Sequence, residues 1–158
     1  MILETPEEFL GVIPAHGALA GLDLGTVTIG VAVSDVLQSV ATPVTTIKRK
    51  KFGVDAAKLL ELTTHRMLQG IVLGLPRNMD GSEGPRAQAT RAFARNLSRL
   101  TPLPITFWDE RLSTVAAERA LIEADTSRKR RAEVIDHVAA SYILQGMLDR
   151  MRNLRDDS

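Results

Sequence analysis

The stretch Gly21–Asp35, GLDLGTVTIGVAVSD, decides how this chain reads. Two apolar runs lie on either side of a short Gly-containing turn, which is the pattern of a β-hairpin. Asp23 sits between Leu22 and Leu24, inside the first of those strands. A carboxylate there is costly to desolvate unless something compensates it. A metal ion or hydrogen-bond donors would do so. Alternatively, Asp23 lies close to the strand end and bonds the Gly25-Thr26 turn, as aspartate commonly does.

Working outward, ATPVTTIKR reads as a third strand, whose proline suits an edge or a strand start. A helix is expected over 54–68. IVLGLP is a continuous apolar run, as in a strand covered on both faces. The segment 76–84, PRNMDGSEG, is a polar loop with Asp80-Gly81 as its turn signal. Pro85 suits a first helical turn. Beyond it, Ala89, Ala92, Phe93, Leu97 and Leu100 keep helical spacing. LPITFW is a fifth strand, followed by DERLST, a helix over 114–124 and a last helix over 130–151. This order predicts one α/β domain over 18–152, with a mixed sheet and helices on both faces. Residues 1–17 read as an irregular N-terminal extension and 153–158 as a C-terminal tail.

Bulk properties narrow the function. The chain has 158 residues, enough for one domain with a sizeable core. Its net charge is only +1, so any signal for nucleic acid must come from local clusters. It has no cysteine, which excludes disulfides, thiol catalysis and Cys-type zinc sites. Three scattered histidines do not suggest a His-rich metal site. No apolar run reaches the ~20 residues that span a bilayer. The first residues lack the basic start of a secretory signal. A cytoplasmic protein with no membrane partner is therefore expected.

Further acids fall at telling places. Asp109 and Glu110 close the fifth strand on opposite sides of it, by its two-residue period. One of them is expected to point towards the strand ends, where open α/β sheets hold ligands. A solvated strand-to-helix loop is the other reading. On the last helix, Ile135, Val138, Ala139, Tyr142, Ile143 and Met147 form an apolar arc, and Asp136 lies towards its buried side. Such an acid either pairs with a basic group or faces a metal. Together the three positions suggest a carboxylate cluster, which repels itself unless divalent cations occupy it. Oxygen-only ligands favour Mg²⁺ or Mn²⁺ over zinc.

Basic groups surround these positions. Lys48-Arg49-Lys50-Lys51 is one run and Arg128-Lys129-Arg130-Arg131 another. Lys129, Arg130 and Arg131 lie just before the Asp136 helix and are candidates for phosphate contact. Arg77 and Arg86 flank the 78–84 loop, which would close over substrate. Arg111 is placed to pair with a carboxylate or with the scissile phosphate. Arg91, Arg95 and Arg99 recur every four residues and read as a solvated face. With 4% aromatic residues, base stacking is a weak candidate for recognition.

Four segments, GLDLGTVTIGVAVSD, IVLGLPRNMDGSEGPRA, WDERLSTVAAERAL and KRRAEVIDHVAASYILQGMLD, together resemble the YqgF family, also called RuvX-like proteins. They span about residues 20–149 in the family's order. The resemblance implies an RNase H-like fold, with a five-stranded mixed sheet whose first three strands are antiparallel. It implies a cytoplasmic, metal-dependent nuclease that processes the 5′ end of precursor 16S rRNA. Resolution of Holliday junctions is the alternative assignment. Carried over by motif, Asp23, Glu110 and Asp136 are the catalytic, metal-holding acids, with Asp109 an acceptable substitute for Glu110. A homodimer would suit a symmetric junction, though no residue demonstrates one. Two other readings compete. DLGTVTIGVAVSD also resembles the first phosphate motif of sugar kinases and actin-like ATPases, which need a second related domain. The same fold also suits a non-catalytic nucleic-acid or ribosome-assembly module.

Overall fold

The expected hairpin is present: Ala20–Leu24 pairs antiparallel with Thr28–Ser34, placing Asp23 opposite Gly30 and Leu24 opposite Ile29. The computed structural model describes residues 1–112 and 128–157, with side chains for 1–112 and 137–157. In chain order the elements are β1 (Ile2–Leu3), α1 (Pro6–Leu10), β2 (Ala20–Leu24), β3 (Thr28–Ser34), β4 (Ala41–Lys48) and α2 (Phe52–His65). There follow β5 (Ile71–Leu75), α3 (Pro85–Ser98), β6 (Ile105–Asp109), a 3-10 turn at Glu110–Leu112 and the long helix α4 (Arg128–Asp156). The helix expected over 114–124 lies outside the described residues.

The sheet is RNase H-like and mixed, in the order β1-β6-β5-β2-β3-β4. β2, β3 and β4 are antiparallel, whereas β5 and β6 run parallel to β2. Pro43 accordingly lies in an edge strand, where its missing N–H costs no ladder bond.

The strand count is corrected from five to six. Ile2 and Leu3 pair parallel with Ile105 and Thr106, within the stretch read as an irregular extension. Two residues are too few to show an alternating pattern, so the sequence carries little strand signal there. Thr5 caps the short helix that follows by accepting from the Glu8 amide at 3.1 Å. Phe9, on that helix, is wholly buried. At the other end of the chain, α4 continues to Asp156, through the residues read as a tail.

Alternation along the strands builds a core on each face. Leu22, Leu24, Leu73, Leu75, Ile105 and Phe107 pack with Ala56 and Leu59 of α2 and with Phe93 and Leu97 of α3. Trp108, Val72, Leu19 and Phe9 pack instead with Ala139, Ala140, Ile143, Leu144 and Met147 of α4. The backbone of α4 lies close to the sheet because position 21 is glycine. A β-carbon there would meet Leu144 Cβ at 2.6 Å and the Ala140 carbonyl at 2.9 Å. Since Leu22 and Leu24 face α2 and α3, Asp23 shares the α4 face with Gly21.

Candidate functional site

Asp23 is 6% exposed, next to the last residue of β2. The ladder between β2 and β5 ends at Leu22 opposite Leu73, so Asp23 is level with Gly74 on the neighbouring strand. Glycine within a strand marks a close approach, and here the approaching group is chemically telling. A β-carbon on Gly74 would meet Glu110 Oε1 at 3.0 Å and the Ile143 side chain closer still. Glu110 therefore reaches from the turn after β6 over β5, on the face covered by α4. Asp23 thus lies in the strand row of Gly74 and on the same sheet face as Glu110.

The third acid belongs to α4. His137 Nδ1 lies 2.9 Å from Thr46 Oγ1. Thr46 pairs with Gly30, and Gly30 with Asp23, so the helix crosses the sheet at the Asp23 row when it reaches residue 137. Asp136 immediately precedes His137 within α4; its side chain lies outside the described residues. Among the described residues, no group of three His, Cys, Asp or Glu side chains forms a metal site. The side chains of Lys129, Arg130 and Arg131 likewise lie outside the described residues, although their backbone begins α4.

Asp109 is engaged differently. Arg111 donates to it from Nη2 at 2.7 Å and from Nε at 3.1 Å, and the Arg111 amide donates at 3.0 Å. Arg77 Nη1 stands 3.7 Å away. Hydrogen bonding to the Arg111 side chain is the main cause that holds the Asp109 carboxyl below its ordinary range; burial opposes it. The structure thus separates two adjacent acids that the sequence left interchangeable. Glu110 goes to the α4 face and Asp109 to a pair of guanidiniums.

The 76–84 loop is held by its own bonds and by arginines. The Gly81 amide donates to the Asn78 carbonyl at 2.9 Å, and Asp80 Oδ1 accepts from the Ser82 amide at 2.9 Å and from the Ser82 hydroxyl at 2.6 Å. Arg77 pairs with Glu83 at 3.3 Å, and Arg91 binds Glu83 and also Glu4. The Arg91 guanidinium lies 4.8 Å from the Phe107 ring centroid. Arg91 belongs to the stripe whose spacing predicts a solvated face, yet it ties the N-terminal segment to this loop. Sequence spacing shows only which helix face a residue occupies, and Glu4 is brought to that face by β1.

Arg86 donates to the Leu24 carbonyl at 3.3 Å and Arg49 to the Gly25 carbonyl at 2.6 Å. These are the first two carbonyls after Asp23.

Comparison with known proteins decides the family. A family model described as "RuvX: Holliday junction resolvase" matches residues 17–150. The chain belongs to the RuvX family. It is 73% identical over 154 residues to a Ruegeria pomeroyi protein named "Putative pre-16S rRNA nuclease", covering 98% of this chain and 100% of that one. A Cereibacter sphaeroides protein of the same name is 75% identical over 151 residues, covering 96% and 94% respectively. Among solved structures, Thermus thermophilus RuvC in complex with a Holliday junction substrate matches with a TM-score of 0.53 at 13% identity. That match covers 87% of this chain and 97% of the RuvC chain. At that identity, the likeness between the RuvX and RuvC chains is one of fold. Among the described residues, no helix is long and apolar enough to cross a membrane.

Proposed function

We propose that this chain is a divalent-metal-dependent nuclease that hydrolyses phosphodiester bonds in the cytoplasm, with the 5′ end of precursor 16S rRNA as its substrate. The observation that carries this is that Glu110 reaches over Gly74, in the strand row of Asp23, on the sheet face crossed by α4. The relatives' printed names support the choice of substrate.

The residues fit a hard cation. Both described donors are carboxylates, the oxygen ligands that a hard cation prefers. Asp23, Glu110 and Asp136 would hold Mg²⁺ or Mn²⁺. When bound, such an ion supplies activation of water and stabilisation of charge at a phosphate. The chain's own residues position the substrate. Arg111 and Arg77 fix Asp109 and the rim of the site, so that Glu110 alone of the adjacent pair is aimed over β5. Water is the nucleophile in this reading, and the chain has no cysteine to supply a thiolate instead.

A Holliday junction resolvase is the second reading, favoured by the family description and by the fold shared with RuvC. Cleavage of precursor rRNA, four-way junctions and simple single strands, side by side with Mg²⁺ or Mn²⁺, separates the two. Asp23→Asn is expected to abolish cleavage while leaving the fold and much of the binding intact. Equal turnover by Asp23→Asn and the parent would overturn the nuclease reading. Binding without any cleavage by the parent would favour a non-catalytic module.

A further inference from the structure

The arginines around the strand ends fall into two classes. Arg77, Arg91 and Arg111 are each ion-paired, with Glu83, Glu4 or Asp109. Arg49 and Arg86 are not: among the described residues, neither has a carboxylate within ion-pair distance. Each instead donates one hydrogen bond to a backbone carbonyl, Arg49 to Gly25 and Arg86 to Leu24. Two un-neutralised guanidiniums thus converge on consecutive carbonyls of the turn that follows Asp23. Between them lies a cavity of about 60 Å³ bordered by Gly25, Thr26, Arg49 and Arg86.

We infer that Arg49 and Arg86 form a seat for a backbone phosphate of the nucleic-acid strand, beside the Gly25-Thr26 turn. This rests on the nuclease reading and specifies how that site holds its substrate. A guanidinium carries five N–H donors, and these two spend one each on carbonyls, leaving most of their donors for an anion. Two like charges on one turn repel each other, and a phosphodiester between them removes that repulsion.

The seat is pre-organised. Arg49 lies 5.9 Å from the Phe93 ring centroid, and its amide donates to the Val27 carbonyl at 2.9 Å, so the residue is tied to the turn it flanks. Arg86 stands in the first turn of α3 just after Pro85, at a helix end that favours negative charge. Thr26 is exposed beside them and its hydroxyl can donate. Arg49 directly follows β4 and Arg86 begins α3, with α2 and β5 between them, so only the fold brings them together. Arg77 and Arg111, already neutralised, are the weaker candidates for this contact.

The test uses the full-length chain carrying Asp23→Asn, so that substrate is bound but not cut. Binding of labelled single-stranded RNA and of a four-way junction is measured between 50 and 200 mM salt, with Arg49→Gln or Arg86→Gln added. Glutamine keeps an N–H for the turn carbonyl but removes the charge, which separates phosphate binding from bracing of the turn. Each substitution is expected to lower the salt slope of log K by about 1, weaken binding about tenfold at low salt and leave the melting temperature unchanged. Arg95→Gln, on an exposed part of α3, is the control and is expected to leave the slope as it was. An unchanged slope in both Arg49→Gln and Arg86→Gln, or an equal loss in Arg95→Gln, overturns the seat. Calorimetric titration with ATP and with inorganic phosphate is expected to show no binding at micromolar concentration; tight binding of either would assign the seat to a free phosphate and overturn the strand assignment. Cleavage by the wild-type chain keeps the two levels apart. If it cleaves while the slopes stay unchanged, only the seat fails; if it neither binds nor cleaves, the nuclease reading fails and the seat with it.

Discussion

Glu110 Oε1 stands 3.0 Å from the point that a β-carbon on Gly74 would occupy. Glu110 belongs to the turn after β6, and Gly74 to the neighbouring strand. The missing side chain at position 74 is therefore what lets this carboxylate reach the Asp23 level. Gly74→Ala is expected to press on both Glu110 and Ile143. We predict a loss of about 1–3 kcal/mol in urea unfolding from overpacking. Cleavage should fall on the order of 10–100-fold as Glu110 is displaced. A variant as stable and as active as the parent would show that Glu110 does not need this space.

Asp109 and Glu110 are adjacent acids with different surroundings, and their amide variants should behave differently. Glu110→Gln is expected to lose cleavage while keeping its melting temperature. Asp109→Asn should keep most of the cleavage. It should also lose stability, because Arg111 and Arg77 then face an uncharged partner. Solvent screening of this accessible pair keeps the loss small. Rates and melting temperatures of the two variants, measured together, check this.

Acid should unfold the protein partly through the arginine-held carboxylates. Asp109 is held below its ordinary range chiefly by its hydrogen bonds to Arg111, and Glu83 chiefly by its bond to Arg91. A depressed folded-state value means that the stabilisation is complete above the ordinary carboxylate range. It is lost as pH falls through the depressed value. Urea midpoints measured from pH 6 down to pH 2 should therefore fall steeply at the acid end. The fall should be shallower in Asp109→Asn/Glu83→Gln, and an identical acid slope would contradict the assignment.

Phe9 is wholly buried against the α4 side of the sheet, although it lies in the stretch read as irregular. Phe9→Ala is expected to cost about 3–5 kcal/mol in denaturant unfolding. A cost within experimental error would mean that the N-terminal segment is not docked in solution.

Much of the fold was legible because its main elements carry strong periodic signals. The hairpin around Asp23, the apolar run of β5 and the arc of α4 each span enough residues for a pattern to form. β1 was not legible, since two residues make no pattern and the strand exists only because β6 offers an edge. Within the site, Asp23 stood out as an acid among leucines. The choice between Asp109 and Glu110 did not, because a strand's end leaves the outward turn of two neighbouring residues open. Gly74 inside IVLGLP was the available signal for the close approach of Glu110. The roles of Arg49, Arg86 and Arg91 depend on contacts between distant parts of the chain, which spacing along one helix or strand does not encode.

The central claim is that Asp23 and Glu110, with Asp136, hold a divalent cation on the α4 face of the sheet. Anomalous difference density from a crystal soaked in Mn²⁺ tests it most directly. The account predicts a peak in coordination contact with the Asp23 and Glu110 carboxylates. A peak at Asp109 instead, or no peak between Asp23 and Glu110 in a crystal form that cleaves its substrate, would contradict it.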